Sequence, residues 1–412
     1  MRIAVVGAGV SGLVCARALA RAHDVSVFEA DTRPGGHSHT IRVDLADETH
    51  MLDTGFLVFN ERNYPAFSAL MGELGIASQP SDMSFSVSSP SFEYRGGTGP
   101  NGLFAQRANL LRPSFSRLIS DIARLHRRLR ILAGTQDYTC SVAEFLERHH
   151  FGGRLAAHYL VPLGSALWSA DPARFLRFPA LTVARFLDQH GMLDLFDKPR
   201  WRTITGGSVH YVERIVAGLG DRLNLGSPVS RVMREGGGVR LDFGKGGSAD
   251  FDGVVMATHS DQSLRLLARP SALEASLLGD MHYQESSVVL HTDPSSLPLR
   301  RRAWASWNYR LIPGRAEATV TYLLNRLQGI TSRHAFCVTL NRDDEIAPES
   351  VIRRLSYAHP IFDSPAIAAQ RRLAELQGHA STWYCGAWFG YGFHEDGVRS
   401  ALDVGRLLGV AG

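Results

Sequence analysis

Three glycines near the start of the chain have the spacing Gly-x-Gly-x-x-Gly, which suits them to hold phosphates. Gly7, Gly9 and Gly12 follow the apolar run 2–6, and apolar residues recur at helical spacing over 13–21. The first glycine of such a turn permits a tight bend, the second lets the backbone approach a pyrophosphate, and the third brings helix and strand together. Free N–H groups at the helix N-terminus attract the phosphates. This spacing predicts a dinucleotide site.

A second apolar run completes the unit that positions this turn. Residues 25–28 predict a strand that ends at Glu29, whose carboxylate is placed to accept hydrogen bonds from ribose hydroxyls. The sequence contains one such fingerprint, whereas a reductase with its own NADPH domain would show a second. We therefore expect the electrons to come from an organic substrate.

Strand-like segments recur in the middle of the chain, at 228–232, 239–243 and 252–258. The run Gly236-Gly237-Gly238 lies before a strand rather than before a helix, which favours a hairpin turn over a phosphate loop.

The stretch 385–402 combines glycines, aromatic rings and the polar run His394-Glu395-Asp396. It follows a predicted strand at 382–384 and leads into a helix, in which Val398, Ala401 and Leu402 recur at helical spacing. Glycines permit a close approach to a ligand that side chains would block. We therefore expect this stretch to close over the cofactor held by the glycine turn.

Further motifs resemble those of a known group of flavoproteins. Arg33-Pro34-Gly35-Gly36-His37 resembles the R-x-G-G-R element of flavin amine oxidases and related desaturases, and Leu52-Asp53-Thr54-Gly55-Phe56 is similar to their strand beneath the flavin. The stretches 82–87, 304–309 and 392–397 are typical of one bacterial branch. On these motifs the chain is identified as a member of the flavin amine oxidase and phytoene desaturase superfamily over essentially its full length.

The resemblance implies an α/β fold, with a Rossmann-type FAD-binding domain of the GR2/amine-oxidase type and an inserted mixed α+β substrate domain. We expect the FAD-binding domain at 1–55, 205–268 and 378–412, and the substrate-binding domain at 56–204 and 269–377. In this superfamily the last helix points its N-terminus at the flavin, where it stabilises negative charge on the reduced ring. The implied FAD-binding residues are Gly7, Gly9, Val10, Ser11, Gly12, Glu29, Ala30, Arg33, Gly35, Gly36, His37, Ser38, Thr54, Gly55, Phe56, Val229, Ala257, Thr258, Gly386, Trp388, Asp396, Gly397 and Val398.

Three departures from the superfamily pattern bear on the reaction. Amine oxidases usually place a lysine near flavin N5, but the corresponding segment 283–290 contains none, and the lysines of the chain are Lys198 and Lys245. His37 replaces the second arginine of the R-x-G-G-R element. The acid at the ribityl chain is missing from 385–388. The first two departures weaken an amine oxidase hypothesis.

The first hypothesis is a dehydrogenase, or desaturase, of methyl-branched or otherwise modified unsaturated fatty acyl chains, with a hydride passing to flavin N5. Members of the branch are commonly encoded beside cyclopropane-fatty-acid-synthase-like methyltransferases, and some resemble flavoproteins of furan fatty acid formation. This implies a phospholipid-borne acyl chain as substrate and a lipid methyltransferase as partner. The alternatives are a flavin amine oxidase, a flavin-bound fatty acid isomerase, and an accessory protein that binds FAD for such a methyltransferase.

Desaturation also needs a base within hydrogen-bond reach of the substrate. His394 and Glu395 are the leading candidates, followed by Tyr391 and His37. The other interpretation of His394 and Glu395 is a structural histidine and an ordinary helix cap.

Composition sets the class of protein. At 412 residues and 44% hydrophobic residues, the chain predicts a globular protein of two domains or of one domain with a large insertion. Residues 2–6 already resemble a strand and no apolar run reaches membrane-span length, so we expect a cytoplasmic protein without a signal peptide. The four cysteines are far apart without a C-x-x-C pair, so we expect neither disulfides nor a bound metal.

The net charge of +4 is unevenly distributed, because residues 101–135 contain seven arginines and one acid, Asp121. A basic amphipathic helix can lie on anionic lipid headgroups, so peripheral contact with the inner membrane face through 101–135 is one interpretation. The other is a surface helix whose apolar side lies in the core. We expect no nucleic acid partner. The apolar residues at helical spacing are Phe115, Leu118, Ile119, Ile122, Leu125, Leu129 and Leu132.

Overall fold

The structure, a computed structural model, describes residues 1–96, 99–194, 198–312, 314–315 and 317–410. Within these ranges the strands are β1 (Arg2–Val6), β2 (Asp24–Phe28), β3 (Thr40–Asp44), β4 (Thr49–Asp53), β5 (Ser78–Pro80), β6 (Phe85–Ser89), β7 (Phe92–Gly96), β8 (Arg202–Ile204), β9 (Leu223–Asn224), β10 (Val229–Glu235), β11 (Gly238–Phe243), β12 (Ser248–Phe251), β13 (Gly253–Met256), β14 (Tyr283–His291), β15 (Trp307–Arg310), β16 (Val320–Leu323), β17 (Cys337–Leu340), β18 (Val351–Pro360) and β19 (Thr382–Tyr384). The helices are α1 (Val10–Leu19), α2 (Pro65–Leu74), α3 (Pro100–Leu103), α4 (Pro113–Ala133), α5 (Val142–Arg148), α6 (Gly153–Leu155), α7 (Val161–Trp168), α8 (Pro172–Phe175), α9 (Ala180–Gln189), α10 (Val209–Leu219), α11 (Ser260–Leu266), α12 (Ala272–Gly279), α13 (Leu324–Leu327), α14 (Ser364–Gln370) and α15 (His394–Leu407).

A five-stranded parallel sheet, in the order β19-β13-β1-β2-β9, carries the glycine turn. Side chains alternate across a strand, so β1 sends Ile3 and Val5 to one face and Ala4 and Val6 to the other. Helices α1, α10 and α15 pack on the first face, and the antiparallel sheet β10-β11-β12 packs on the second. All five strands fall within the segments expected to bind FAD; the domain boundaries themselves stay a prediction.

A seven-stranded mixed sheet, in the order β18-β14-β17-β16-β15-β6-β7, forms the second large element of the fold. Its β6–β15 pair is parallel and its other pairs are antiparallel. Helices α4, α5, α7 and α9 form an apolar cluster beside it, with Leu125, Trp168 and Phe186 buried in its centre. The candidate site lies where these elements meet the glycine turn.

Local chemistry explains where the observed elements differ from the predicted ones. Helix α1 begins at Val10, before the predicted start at residue 13, because the Gly9 carbonyl already accepts a hydrogen bond from Leu13 N. Strand β4 ends at Asp53, so the segment 54–56 follows the strand instead of lying within it. The hairpin prediction is confirmed: Gly236 and Gly237, with φ of +62° and +82°, connect β10 to β11 in a turn that needs positive φ at both positions.

Helix α4 has the arrangement of an ordinary surface helix. Phe115, Leu118, Leu125 and Leu129 are buried in the helical cluster, while the side chains of 127–128 are exposed. The apolar side of this helix therefore packs in the protein's own core, and membrane contact through 101–135 stays a prediction. Within the described ranges, no helix is both long and apolar enough to cross a membrane.

Candidate active site

Two glycine loops pack against each other at the end of β1. Gly7 has φ of +103°, and a Cβ on Gly12 would lie 1.9 Å from the Gly7 carbonyl oxygen, so neither position accepts a side chain without a shift of the backbone. The second loop approaches the first through a 2.8 Å hydrogen bond from Gly35 N to Ala8 O. A Cβ on Gly9 would meet no atom within 4 Å and would project into open space. The loops thus form a backbone-lined cradle.

The polar groups around this cradle suit a dinucleotide. No side chain caps the N-terminus of α1, which leaves its first amides free for an anion. Glu29 accepts hydrogen bonds from Ala8 N at 2.7 Å and Asp31 N at 2.9 Å, so its carboxylate is fixed beside the glycine turn with lone pairs to spare. Arg33 donates to the Gly36 carbonyl at 2.8 Å and thereby holds the second loop.

A cavity of about 860 Å³ extends from this cradle. The predicted FAD-binding residues that line it are Gly7, Gly9, Val10, Ser11, Glu29, Ala30, Arg33, Gly35, Gly36, His37, Thr54, Gly55, Phe56, Val229, Ala257, Thr258, Gly386 and Trp388. The remaining ones support the wall from behind. Ser38 is bonded to His394, and Val398 lies in the core; a Cβ on Gly397 would come within 2.7 Å of Ser11 Oγ, so α15 packs directly on the start of α1.

The acids at the start of α15 are engaged within the protein. Asp396 accepts hydrogen bonds from Tyr391 N at 2.9 Å and Phe393 N at 3.0 Å, and burial raises its pKa to about 6. Glu395 accepts hydrogen bonds from Ala66 N and Phe67 N, the first amides of α2. Neither carboxylate is among the described side chains that line the cavity. Asp396 thus caps its own helix α15, whereas Glu395 caps α2, and a catalytic role for Glu395 stays a prediction.

His394 lines the cavity but is held on several sides. Its Nε2 lies 2.8 Å from Ser38 Oγ and 3.2 Å from the Tyr211 hydroxyl, and its ring stacks on Phe56 at 3.7 Å between centroids. Burial lowers its pKa to about 3. Tyr391 also faces the cavity, and burial raises the pKa of its hydroxyl to about 12. These contacts fit a positioning role for His394 better than that of a base.

His37 lies in a group of aromatic side chains from four separate segments. Its ring centroid is 5.3 Å from that of His359, 6.1 Å from that of His259 and 4.9 Å from that of Tyr357. The His259 ring stacks on Tyr283 at 4.4 Å. All five line the cavity. We call His37, His259 and His359 the histidine cluster.

The histidine cluster presents unused hydrogen-bonding atoms to the cavity. In the described part of the chain, His37 Nε2 and His359 Nδ1 are buried and have no partner. Burial, followed by repulsion from His359, His259, His394 and Arg33, holds the pKa of His37 well below its ordinary value. Burial, then repulsion from His259, lowers the pKa of His359 to about 4. Burial also lowers the pKa of His259. Burial therefore favours the neutral form of the cluster at pH 7 and makes its protonation more costly than that of an exposed histidine.

Tyr357 fixes the geometry of this cluster. Its hydroxyl lies 2.7 Å from Thr54 Oγ1 and 3.0 Å from His39 Nδ1. The His37 carbonyl accepts a hydrogen bond from Phe56 N, and a Cβ on Gly55 would lie only 2.2 Å from that carbonyl oxygen. His37 is thus locked between the second glycine loop and strand β18.

Most of the rest of the cavity wall is apolar, although the uncharged polar side chains Ser169, His190, Gln262 and Ser356 also line it. Across the described residues that line the cavity, the charged side chains are Glu29, Asp31, Arg33, Arg265 and Glu285. The first three lie beside the glycine loops, Arg265 pairs with Asp261, and Glu285 is solvent-exposed. The apolar wall consists of Leu57, Val58, Met83, Ala166, Leu167, Trp168, Phe186, Met192, Trp201, Val288, Trp307, Tyr322, Leu340, Phe362 and Phe393.

Comparisons with known proteins identify the family. The chain matches the flavin containing amine oxidoreductases over residues 10–342, and it therefore belongs to that family. Its fold is similar to that of cyclohexylamine oxidase from Brevibacterium oxydans IH-35A (16% identity, 99% of each chain, TM-score 0.72). It is also similar to putrescine oxidase (16%, 100% of each chain, 0.72) and to a CLA-producing fatty acid isomerase from P. acnes (16%, 98% of this chain and 97% of that one, 0.70).

FAD is accordingly the cofactor, and the protein is a flavin-dependent oxidoreductase of this family. The predicted fold class and cofactor are confirmed. The residues present fit FAD: the glycine cradle leaves backbone room for a pyrophosphate, free helix amides face it, and Glu29 lies at the end of β2.

Sequence reasoning missed His259, His359, Tyr283 and Tyr357. A signal for two of them was present, since Tyr357 and His359 are two residues apart on β18 and therefore share one face of that strand. His259 directly follows the recognised pair Ala257-Thr258. Their meeting with His37 depends on long-range packing that no local pattern records.

Proposed function

We propose that the protein is an FAD-dependent dehydrogenase, or desaturase, of a methyl-branched or otherwise modified unsaturated fatty acyl chain. The observation that carries this proposal is an apolar cavity wall that leads to a cluster of neutral histidines. An alkyl chain matches such a wall, because burying apolar surface is favourable. An alkylammonium group would lose its hydration along this wall, which is costly. Among the described lining residues away from the glycine loops, only the solvent-exposed Glu285 would offer it a carboxylate.

The lysine pattern supports the same substrate class. Strand β14 spans the segment in which amine oxidases usually carry a lysine, and it contains none. Lys198 and Lys245 are both exposed and do not line the cavity. A water molecule held by lysine is therefore not part of the proposed chemistry.

The proposed reaction breaks two C–H bonds and forms one C=C bond. FAD, when bound, supplies the acceptor for a hydride from one carbon. His37 accepts the proton from the adjacent or allylic carbon at its unpartnered Nε2, and an existing alkene in the substrate lowers the cost by delocalising charge. While it is neutral, His359 can accept a hydrogen bond from the resulting imidazolium at Nδ1, which has no partner among the described residues; the repulsion that, after burial, lowers the pKa of His37 arises only when both rings are protonated. The apolar wall keeps water away and aligns the chain over the cluster.

The test is an anaerobic titration of the FAD-loaded protein with a phospholipid that carries a methyl-branched, unsaturated chain. We expect the oxidised flavin absorbance to fall, and mass spectrometry to show loss of a hydrogen pair from the acyl chain for each flavin bleached. A saturated, unbranched phospholipid serves as the matched control. Bleaching by a simple alkylamine but not by lipid would refute the proposal in favour of an amine oxidase.

The isomerase is a second candidate, favoured by one property of the cluster. A neutral histidine pair that takes a proton from one carbon can return it to another, which shifts a double bond without net oxidation. In that case the absorbance would stay constant while the lipid keeps its mass and its alkene moves. An unchanged spectrum together with an unchanged lipid would favour the accessory role beside a lipid methyltransferase.

A further inference from the structure

Three leucines project from two loops far apart in the sequence. Leu111 is 89% exposed, Leu299 84% and Leu110 56%. Leu111 and Leu299 are the two most exposed large hydrophobic side chains among the described residues. Such exposure is unfavourable in water, and clustered exposed apolar side chains mark interaction surfaces.

Glu93 on β7 brings the two loops together. Its carboxylate accepts hydrogen bonds from Leu299 N at 2.7 Å and from Arg300 Nη1 at 3.0 Å. Its backbone carbonyl accepts a hydrogen bond from Asn109 Nδ2 at 3.0 Å, next to Leu110. Both loops are therefore anchored on one buried residue, which makes the leucines a local patch and not a scattered set.

The same loops carry exposed positive charge. Arg107 lies shortly before Leu110 and Leu111 in the sequence. The run Arg300-Arg301-Arg302 follows Leu299, and all four arginines are exposed. Arg300 forms an ion pair with Glu93. Among the described residues, no other ion pair involves these arginines, so Arg107, Arg301 and Arg302 lie on the leucine-bearing loops without a carboxylate partner. We call Leu110, Leu111, Leu299 and these four arginines the leucine–arginine patch.

We propose that the leucine–arginine patch docks the protein on an anionic phospholipid bilayer. Leucines at loop tips can enter the boundary between headgroups and acyl chains, while arginines bind lipid phosphates. Leu110, Leu111 and Arg107 of the patch belong to the basic region 101–135, and its other members lie on the loop that follows Leu297. In this proposal the membrane contact is the patch and not the apolar face of α4, because that face is buried in the core. Membrane docking agrees with the proposed phospholipid-borne substrate. Because vesicle binding does not require turnover, an experiment can refute the docking proposal or the proposed function without refuting the other.

The test is co-sedimentation of the FAD-loaded protein with phosphatidylcholine vesicles, with and without about one quarter phosphatidylglycerol. We expect binding to the anionic vesicles that weakens in high salt. The variant L110S/L111S/L299S should lower the partition coefficient at least about tenfold. The variant R107Q/R301Q/R302Q should lower it about a hundredfold, since each arginine near an anionic surface contributes separately.

Matched controls separate docking from general damage. L407S removes a leucine that is 59% exposed elsewhere, and R214Q/R269Q/R353Q removes three exposed arginines; both should bind vesicles like the wild type. Flavin absorbance and sedimentation velocity report folding and self-association. Absence of wild-type binding, or binding unaffected by the leucine variant, would overturn the proposal. A wild-type dimer that becomes monomeric in the leucine variant, without vesicle binding, would overturn it in favour of an interface between two copies.

Discussion

Among the described residues, His37 and His359 each keep a buried ring nitrogen without a partner, whereas His394 uses its Nε2 in two contacts. A general base needs a free lone pair within hydrogen-bond reach of the substrate, and it works best with a pKa near the operating pH. His37 and His359 offer such lone pairs, although burial lowers the pKa of each below that range. On the ground of the lone pair we propose His37 ahead of His394 as the base, and the assignment stays a prediction.

The variant His359→Asn tests this assignment. Removing the imidazole that stabilises protonated His37 should slow anaerobic flavin reduction about a hundredfold or more, because base catalysis typically contributes that much. FAD content, read from the visible spectrum, should stay at the wild-type level. His282→Asn, which alters an exposed histidine immediately before β14, is the matched control. A normal reduction rate in His359→Asn would rule out the pair.

At the level of single residues, the sequence predicted backbone contacts better than side-chain chemistry. Gly7, Gly9 and Glu29 were identified by spacing alone, because a phosphate cradle is built from consecutive residues. His259 and His359 could not be placed beside His37, since three separate segments supply the cluster.

The two glycine loops act as one element, and two glycines of the first loop have different roles: Gly9 leaves space in the cavity, and Gly12 allows close packing of the backbone. Gly9→Ala adds a methyl group that meets no protein atom but projects into the cavity, so the fold should persist while FAD affinity falls at least about tenfold. Gly12→Ala forces the Cβ against the Gly7 carbonyl and should lower the free energy of unfolding of the FAD-free protein by about 1–3 kcal/mol.

Equilibrium dialysis for FAD and urea unfolding of the FAD-free forms measure this contrast. If both variants lost stability equally, the space beside Gly9 would not be reserved for a ligand.

Elements were predictable to the extent that they are local. The unit from β1 to β2, the hairpin at Gly236-Gly237 and helix α4 all follow from periodicity and turn chemistry. The seven-stranded sheet was foreseen only as part of a mixed α+β insertion, because its parallel β6–β15 pair joins strands separated by more than half the chain. Register of that kind is set by packing and leaves no short-range signal.

For the molecule as a whole, several buried neutral histidines make stability depend on pH. Their ordinary pKa of 6.5 applies in the unfolded chain, so between that value and the folded pKa the unfolded state binds more protons. Stability is therefore lost as the pH falls through 6.5. The histidines whose pKa is lowered, first by burial, to a stated value are His39, His126, His190, His291 and His359, each to about 4, and His394, to about 3; burial also lowers the pKa of His37, His149, His158 and His259.

We expect the free energy of unfolding to fall steeply between about pH 6.5 and 4, by ~1.4 kcal/mol per pH unit for each histidine that gains a proton on unfolding. Asp53 and Asp396 oppose this trend, because burial raises the pKa of each to about 6 and the folded state then binds their protons more tightly. The histidines with a lowered pKa outnumber these two carboxylates. Urea unfolding in a series of buffers measures the slope, and a flat profile would mean that these histidines are protonated in the folded protein.

Helix α15 packs on α1 through Gly397 and Ser11. This contact determines when, during synthesis of the chain, the cofactor site can be completed. The glycine turn leaves the ribosome early, but the helix that completes the cofactor wall is synthesised nearly four hundred residues later. Contacts between residues so distant in sequence form slowly, because the chain loses the entropy of closing a long loop before these contacts stabilise the fold. Capture of FAD must therefore be a late event in biogenesis. Until then the nascent chain exposes the apolar surfaces of an incomplete sheet, and we expect chaperones to bind it.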